Sequence, residues 1–597
     1  MSNEAVWFCD STVEDRFPAW TRGNAADVFP EPFSPLGLSL VVRQGMCLGL
    51  RDAYIAIGAL DWDEYDEPRR PELWKSFGGY LYNPLSMTRV LGARMPGASP
   101  ELIDRAFFDE RDEVPIYEHQ DWHDSPKHEE KLAESMRWAM SSTSLPHLDA
   151  DRELALQLRV SRPNLATLTD SALHARARAM MPYVVQTFEN AMIVSSLSSL
   201  GTGALAAICE ELGDPTLAIR LLAGIEVDSA APAHAMWALG RLARESEVVS
   251  AAFDFVNGAR LDNGLGEGTD NRLDAGIGGL LDTLRASGDP DAGEFLAKFA
   301  LFLHDHGSRG PNEYDPRAPS WEARPRAALA AIDLMRRSDA SQAPSRRAGA
   351  AVAERDRVID DIRFRLKATP DTSAMFDTAL RSAQLFLAGR ERAKTNVVRV
   401  INEARMALYE YGRRLVESGV IEEVEQVFMV TDEELDPLRA DPSAFSTIIA
   451  KRWSQYRRLF DFEPAFVVNG RVPSIDDMAS RATKQVMLAA PGTVLHGAAG
   501  SGGVATGRAR VVVDPADPSG FEPGDVLIAP QTDPAWVPLM VPAAGVVVNT
   551  GAQGSHAMIV SRELGIPCVV SVAGATDAIP DGATVTVDGT SGTVTVH

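Results

Sequence analysis

Two hydrophobic patterns divide the chain. From about residue 126 to 460, apolar positions recur at spacings of three and four in long Ala/Leu/Arg/Glu segments. Breaks at Leu212–Pro215, Ser287–Pro290 and Lys367–Thr372 predict helices joined by short turns. After Pro464 the pattern shortens to Val/Ile runs between Gly, Pro and Asp turns. It predicts strands at Ala509–Asp514, Asp525–Pro530, Val546–Val548, Pro567–Val572, Thr584–Asp588 and Gly592–His597. Residues 1 to about 125 show little periodicity. Pro30, Pro32 and Pro35 predict an extended loop over Val28–Leu40, and Tyr80, Tyr82 and Met87 fall on short strand-like segments. The expected division is a large, mostly α-helical domain over 1–488, a hinge over 489–507 rich in Gly and small residues, and a small α/β domain over 508–597.

Within that frame, Gly545–Val570 holds the most pointed chemistry. It reads as a buried strand, a turn at Gly551 and Gly554, a helix opening at Ser555-His556, a Gly565-Ile566-Pro567 stop and a second strand. His556 then sits where the first backbone N–H groups of a helix lack intrahelical partners and the macrodipole favours an anion. A neutral imidazole there is a candidate nucleophile whose phosphoryl adduct would meet ready donors. A histidine that only caps a helix is the alternative.

The helix expected over Met375–Ser418 carries an inward stripe: Phe376, Leu380, Ala383, Leu387, Arg390, Lys394, Val397, Ile401, Ala404, Leu408, Tyr411 and Leu415. Arg390 and Lys394 interrupt this apolar stripe. A charge there needs an anion, either a phosphate or substrate group or an internal carboxylate. Phe302–Pro325 follows an apolar helix and gathers His304, His306, Arg309 and Glu313 in a turn-rich stretch, which suits an active-site loop and equally a solvated one. Phe33 and Tyr82, on the aromatic-rich N-terminal segments, are candidates for lining a substrate pocket or for packing under a cap. His119, His123 and His128 lack ligand spacing on one helix face and read as a solvated helix start. Glycine-rich Asn263–Leu273 follows no strand and reads as a helix–helix loop.

Composition narrows the picture. A net charge of -25 without a Lys/Arg-rich run argues against a nucleic-acid partner. No basic and apolar leader opens the chain, and the two stretches nearest a membrane span, Ala191–Cys209 and Ala535–Val548, are diluted by small polar residues or broken by proline. The four cysteines form no CxxC pair, so neither a metal site nor a disulfide framework is expected, and a reduced cytoplasmic enzyme is the default.

GAQGSHAMIVSRELGIPCVV (Gly551–Val570) closely resembles the signature around the phosphorylated histidine in the swivelling domain of phosphoenolpyruvate synthase, pyruvate phosphate dikinase and rifampin phosphotransferase. HGAAGSGGVATGRARVV resembles the entry to that domain, and QTDPAWVPLM (Gln531–Met540) its Thr-x-Pro segment. VFPEPFSPLGLS, GGYLYNPL, HGSRGPNEYDPRAPSW and GRERAKTNVVRV resemble, in order, the acceptor-binding domain of rifampin phosphotransferase. The resemblance implies a PEP-utilising mobile domain with a phosphohistidine intermediate at His556, beside Ser555, and matches Arg390 and Lys394 to the family's Arg-Glu-x-x-Lys helix. It implies dikinase-type chemistry, in which ATP gives AMP and phosphate. Nothing in the sequence resembles an ATP-grasp domain, so a separate ATP-grasp partner is expected to bind ATP and Mg2+, as in phenylphosphate synthase. No barrel follows the histidine domain, which makes pyruvate a poor acceptor. A small hydroxylated, plausibly phenolic, compound is expected instead. A regulatory phosphocarrier without acceptor chemistry is the alternative.

Overall fold

The structure, a computed structural model, describes residues 6–108, 114–262, 270–481, 488–515, 520–551 and 555–597. Gly554 and the first part of the Asn263–Leu273 loop lie outside the described residues. A large helical region and a small C-terminal α/β domain are both present. The chain forms two compact units, one of residues 1–218, 312–318 and 362–485, the other of 219–311, 319–361 and 486–597.

The first unit is built on two long helices, Met181–Glu211 and Pro370–Glu417, packed side by side. They approach closely at Gly201, where a Cβ would lie 2.4 Å from the Ala383 nitrogen. The helical stretch Asp170–Glu211 is long and apolar enough to cross a membrane by length and composition, yet here its Met181–Glu211 part packs against several helices of the unit. The longer helix starts at Pro370, where a missing N–H costs nothing. Phe376, Leu380, Ala383, Leu387, Val397, Ile401, Ala404, Leu408, Tyr411 and Leu415 are all buried, so the apolar members of the expected stripe do face the core. Short antiparallel pairs complete the unit: β1 (Ala19–Thr21) with β5 (Val467–Asn469), β2 (Lys75–Phe77) with β3 (Tyr80–Tyr82), and β4 (Phe462–Glu463) with β6 (Ala479–Ser480).

The extended loop expected over Val28–Leu40 ends early. The Leu38 N–H donates to Ser34 O (2.8 Å), and a π-helical segment runs from Gly37 to Met46 into the helix Cys47–Ala56. Pro35 occupies the first turn, where it is tolerated, so three prolines did not preclude a helix.

In the second unit, β7 (Val494–His496), β8 (Ala498–Ser501), β9 (Val504–Val511), β10 (Val526–Ala529), β11 (Gly545–Val548), β12 (Cys568–Val570), β13 (Thr584–Asp588) and β14 (Thr593–Val596) form one sheet. Its order is β7-β14-β13-β9-β10-β11-β12-β8, with β9 to β12 parallel. Strands buried on both faces explain the unbroken valines of Val546–Val548. Val547, Ile528 and Val569 pack toward Val585 and Val587, while Val546, Val548, Leu527 and Val570 share a core with the helix His556–Leu564.

That second core extends into the helices Ala231–Glu245, Pro290–His306 and Arg326–Arg337. The short helix Val537–Met540 rests on the first and last of them. Trp536, Val537, Leu539, Met540 and Val541 are each at most 4% exposed; uncovering such side chains costs about 1.5–3 kcal/mol apiece. The boundary expected at 488 therefore separates only part of the helical region, because residues 219–311 and 319–361 group with the sheet.

The segment 489–507 is not a free hinge, since it supplies β7, β8 and the start of β9. Its small residues serve close packing: a Cβ on Gly500 would lie 2.9 Å from Cys568 O on the neighbouring strand.

Candidate functional site

His556 is the first residue of a nine-residue helix that connects parallel β11 to β12. Ser555 is its N-cap, with extended backbone (φ -64°, ψ 155°) and a buried Oγ that has no hydrogen-bond partner among the described residues. Gly565 ends the helix in the left-handed conformation (φ 63°), and Ile566 N–H returns to Ser561 O at 2.9 Å, so the expected Gly-Ile-Pro stop is a C-cap turn. His556 is only 9% exposed, and its Nδ1 is hydrogen-bonded to Thr532 Oγ1 at 3.0 Å. Thr532 is itself buried. The next residue, Asp533, caps the turn that follows by accepting from Ala535 N–H (2.8 Å). Thr532 was not among the expected site residues, although the QTDPAWVPLM segment carrying it was. Its only sequence signal is that motif position, since the contact spans 24 residues.

Six residues on, the Arg562 guanidinium is buried and donates from Nε to Gly500 O (2.7 Å). Burial pushes it down to about 10. It ties the helix to β8, in the segment expected to be a hinge.

The second cluster lies in the first unit. Lys394 Nζ pairs with Glu313 Oε1 at 3.3 Å, with a side chain 18% exposed against 2% for the glutamate. Glu313 belongs to a short segment clamped from the same long helix: Arg405 Nη2 donates to Glu313 O (2.6 Å) and Asp315 O (3.2 Å), and Tyr409 OH to Arg317 O (2.6 Å). Asp315, fully buried, accepts from Ser34 N–H (2.9 Å) and Ser34 Oγ (2.6 Å), which pins the Phe33 segment to the same place. Three segments far apart in sequence are thus tied together, Ser34 to Asp315 and residues 313–317 to the long helix. The internal carboxylate allowed for in the sequence reading answers Lys394. It does not answer Arg390: that half-buried guanidinium has no side-chain hydrogen-bond or ion-pair partner among the described residues.

The other expected residues scatter. His304 and His306 lie in the last turn of the helix Pro290–His306, not in a loop. His304 is exposed, with Nδ1 2.9 Å from Asp305 Oδ1. Arg309 is buried and belongs, like these histidines, to the second unit, whereas Glu313 belongs to the first. Phe33 and Tyr82 are fully buried in the core of the first unit. Phe33 stacks edge-on against Phe29 (6.0 Å), and Tyr82 OH donates to Ala465 O (2.6 Å). Their place is therefore packing, the second of the two roles open to them from sequence.

His128 does approach two carboxylates. Its potential ligand atom and those of Asp61 and Glu64 lie within 4.8 Å of one another. Cations already answer that pair: Lys127 is 2.5 Å from Asp61, Lys131 3.3 Å from it, and Arg94 2.6 Å from Glu64. A divalent metal would have to displace them, so an ion-pair cluster is the better description.

Residues 521–592 match the family described as PEP-utilising enzyme, mobile domain. The C-terminal domain is a PEP-utilising mobile domain. His556 occupies its strand-to-helix turn. Residues 179–391 match the rifampicin phosphotransferase fourth domain, a span that includes Arg390 and ends one residue beyond it. An uncharacterized protein of Mycobacterium tuberculosis is 29% identical over 98% of this chain. The chain covers 62% of that relative's length. Rifampicin phosphotransferase of Streptomyces sviceus is 29% identical over 51% of this chain and 35% of its own length. An uncharacterized phosphotransferase of Bacillus subtilis is 34% identical over 32% of this chain and 24% of its own.

Proposed function

We propose that this mobile-domain protein is a phosphotransferase that carries a phosphoryl group from ATP on His556 to the hydroxyl of a small acceptor. The observation that carries the reading is His556 at the N-terminus of the helix between β11 and β12, inside the mobile-domain match. With Nδ1 engaged by Thr532, Nε2 is the attacking nitrogen in this reading. The N–P bond forms as a P–O bond of the nucleotide breaks, and the helix N-terminus with Ser555 receives the phosphoryl oxygens.

The acceptor hydroxyl then attacks phosphorus. The N–P bond breaks with its electron pair returning to the imidazole, and a base takes the acceptor's proton. Glu313 is the base put forward among His304, His306 and Glu313, because it shares a unit with Arg390 and Lys394. Arg390 supplies positive charge to the transferring group, a role supported by its lack of an anionic partner among the described residues.

The wider assignment is part of the same proposal. A separate ATP-grasp subunit binds ATP and magnesium; two P–O bonds of ATP break, the β-phosphoryl group passing to His556 and the γ-phosphoryl group to water, so the overall products are AMP and phosphate, and the acceptor is phenolic. Incubating the protein with candidate ATP-grasp partners, β-labelled ATP and a panel of phenols and alcohols tests each step. Label is expected on the wild type and then on one acceptor. An unlabelled wild type, or label retained in His556→Ala, overturns the phosphohistidine reading. Labelled protein that passes nothing on would favour the second reading, a regulatory phosphocarrier. The packing of Phe33 and Tyr82 into the core supports that alternative, because it removes two expected pocket walls.

A further inference from the structure

The uncharged Ala191–Cys209 stretch stands out in sequence as one of the two pieces nearest a membrane span, and phosphohistidine chemistry does not explain it. Packing accounts for much of it, since Val194, Leu197, Leu205 and Ile208 are buried. Ile193 is only half-buried, and together with Leu197 it lines a cavity of about 370 Å3 in the first unit. That volume suits one small organic molecule. Ile57, at the end of the helix Cys47–Ala56, adds to the apolar wall. The Trp138 indole, 38% exposed, forms a flat aromatic side and stands edge-on to Phe386 at 5.6 Å.

The polar groups of the lining differ in what they have left to offer. Ser135 gives its hydroxyl proton to Ile57 O (2.9 Å), and Asn190 donates from Nδ2 to Asp151 Oδ2 (2.7 Å), so each keeps an oxygen that can accept. His147 has no hydrogen-bond partner on either ring nitrogen among the described residues; Nε2 is enclosed, which leaves Nδ1 to meet a ligand. Burial lowers the His147 pKa against the opposite pull of Asp151 and Asp149, so the imidazole is neutral at pH 7. A hydroxyl, which both donates and accepts, satisfies that nitrogen in either tautomer. An anion is disfavoured here. Glu134 lines the cavity, and the buried Asp151 carboxylate is answered by the Gln186 and Asn190 amides and by no cation among the described residues. The geometry points to a binding site for a small uncharged aromatic alcohol of the phenol class, its ring between Trp138 and the Ile193–Leu197 wall and its hydroxyl toward His147. None of the residues put forward for phosphoryl transfer lines this cavity, so the site stands apart from that reading.

The test needs neither ATP nor a partner. Full-length, unphosphorylated protein is prepared with 5-fluorotryptophan, and the Trp138 resonance is assigned through Trp138→Phe. Phenol, toluene and benzoate are titrated separately and followed by fluorine NMR. Phenol should shift the Trp138 signal saturably, and benzoate should leave it in place. His147→Phe keeps a flat ring and removes both nitrogens; it should weaken phenol about 3- to 10-fold and leave toluene unchanged. Ile193→Phe fills the cavity and should remove the Trp138 shift with either ligand. The site is overturned by an unmoved Trp138 signal with phenol, by benzoate binding as well as phenol, or by phenol affinity that survives both variants. Should a variant fold poorly, as read by its melting temperature, the comparison of the three ligands on the wild type still decides. Because His556 takes no part, a failed phosphohistidine assay leaves this result standing, and the reverse holds too.

Discussion

The two charged centres of this molecule are built in opposite ways. At the His556 helix the functional group comes first in its element, next to β11 and the helix N-terminus in sequence, and Thr532 from a distant segment adds a hydrogen bond. At Arg390 and Lys394 the functional groups sit mid-helix, and everything that meets them comes from afar: Glu313 pairs with Lys394 while Asp315 ties in Ser34. The first centre is held by local backbone geometry. The second depends on a buried polar network whose members each become a liability when a partner is lost.

Substitutions can break this contrast, and the largest expected effect is at the local centre. His556→Ala should reduce phosphoryl labelling to background while leaving the melting temperature unchanged, as read by labelled ATP with a donor partner and by calorimetry. At the distributed centre, chemistry and stability should separate. Arg390→Ala, which breaks no ion pair among the described residues, is expected to lower acceptor phosphorylation about 100-fold with His556 labelling and stability intact. Glu313→Ala removes the proposed base and leaves Lys394 without its anion, so besides lowering acceptor phosphorylation it should cost on the order of 3 kcal/mol in denaturant unfolding. Equal stability losses in both variants would show that the network does not discriminate between them.

A pH series sharpens the contrast from another side of the first unit. Asp10 is half-buried and accepts from Ser76 Oγ (2.8 Å), Gly78 N–H (2.7 Å) and Gly79 N–H (2.9 Å). Burial raises its carboxyl to about 6. The folded state therefore binds this proton more tightly than the unfolded chain. The associated stability is complete below the ordinary carboxylate range and is lost as pH rises through about 6. Burial lowers His123 to about 4, which acts the other way: its contribution is present above the usual imidazole value and is lost as pH falls toward 4. In wild type the two oppose each other. Asp10→Asn should therefore unmask a fall in stability on acidification from pH 6.5 to 4 of up to about 3 kcal/mol, seen as a steeper decline in melting temperature than in wild type.

Smaller effects belong to the local centre. Thr532→Val removes one hydrogen bond to the imidazole and should slow phosphoryl labelling about 3- to 10-fold without changing acceptor preference. Gly565→Ala forces a side chain into the left-handed C-cap and should cost about 1 kcal/mol, with labelling rate unaltered.

The local centre was the legible one. The strand seen in sequence at Val546–Val548 is β11, the helix opens at His556, and the stop at Gly565 is a C-cap. Thr584–Asp588 is a strand with the boundaries read from the sequence. The stripe of the long helix was legible too, because 3.6-residue periodicity is a property of the chain itself. Misreadings arose where composition stood in for contact. Small residues in 489–507 suggested a hinge, yet they permit the close strand packing of β8 on β12. Aromatics at Phe33 and Tyr82 suggested a pocket, yet they fill a core.

What the sequence by itself determined is the set of local structures: the helices, most of the parallel strands, and a histidine at a helix start. Each follows from spacing over a few turns or from caps that act within four residues. Tertiary structure alone decided that Glu313 answers Lys394 while Arg390 has no anion among the described residues, that Thr532 reaches His556, and that residues 219–311 and 319–361 group with the sheet. These depend on which apolar faces find each other. Burial is non-directional, so a sequence can specify an apolar face without naming its partner.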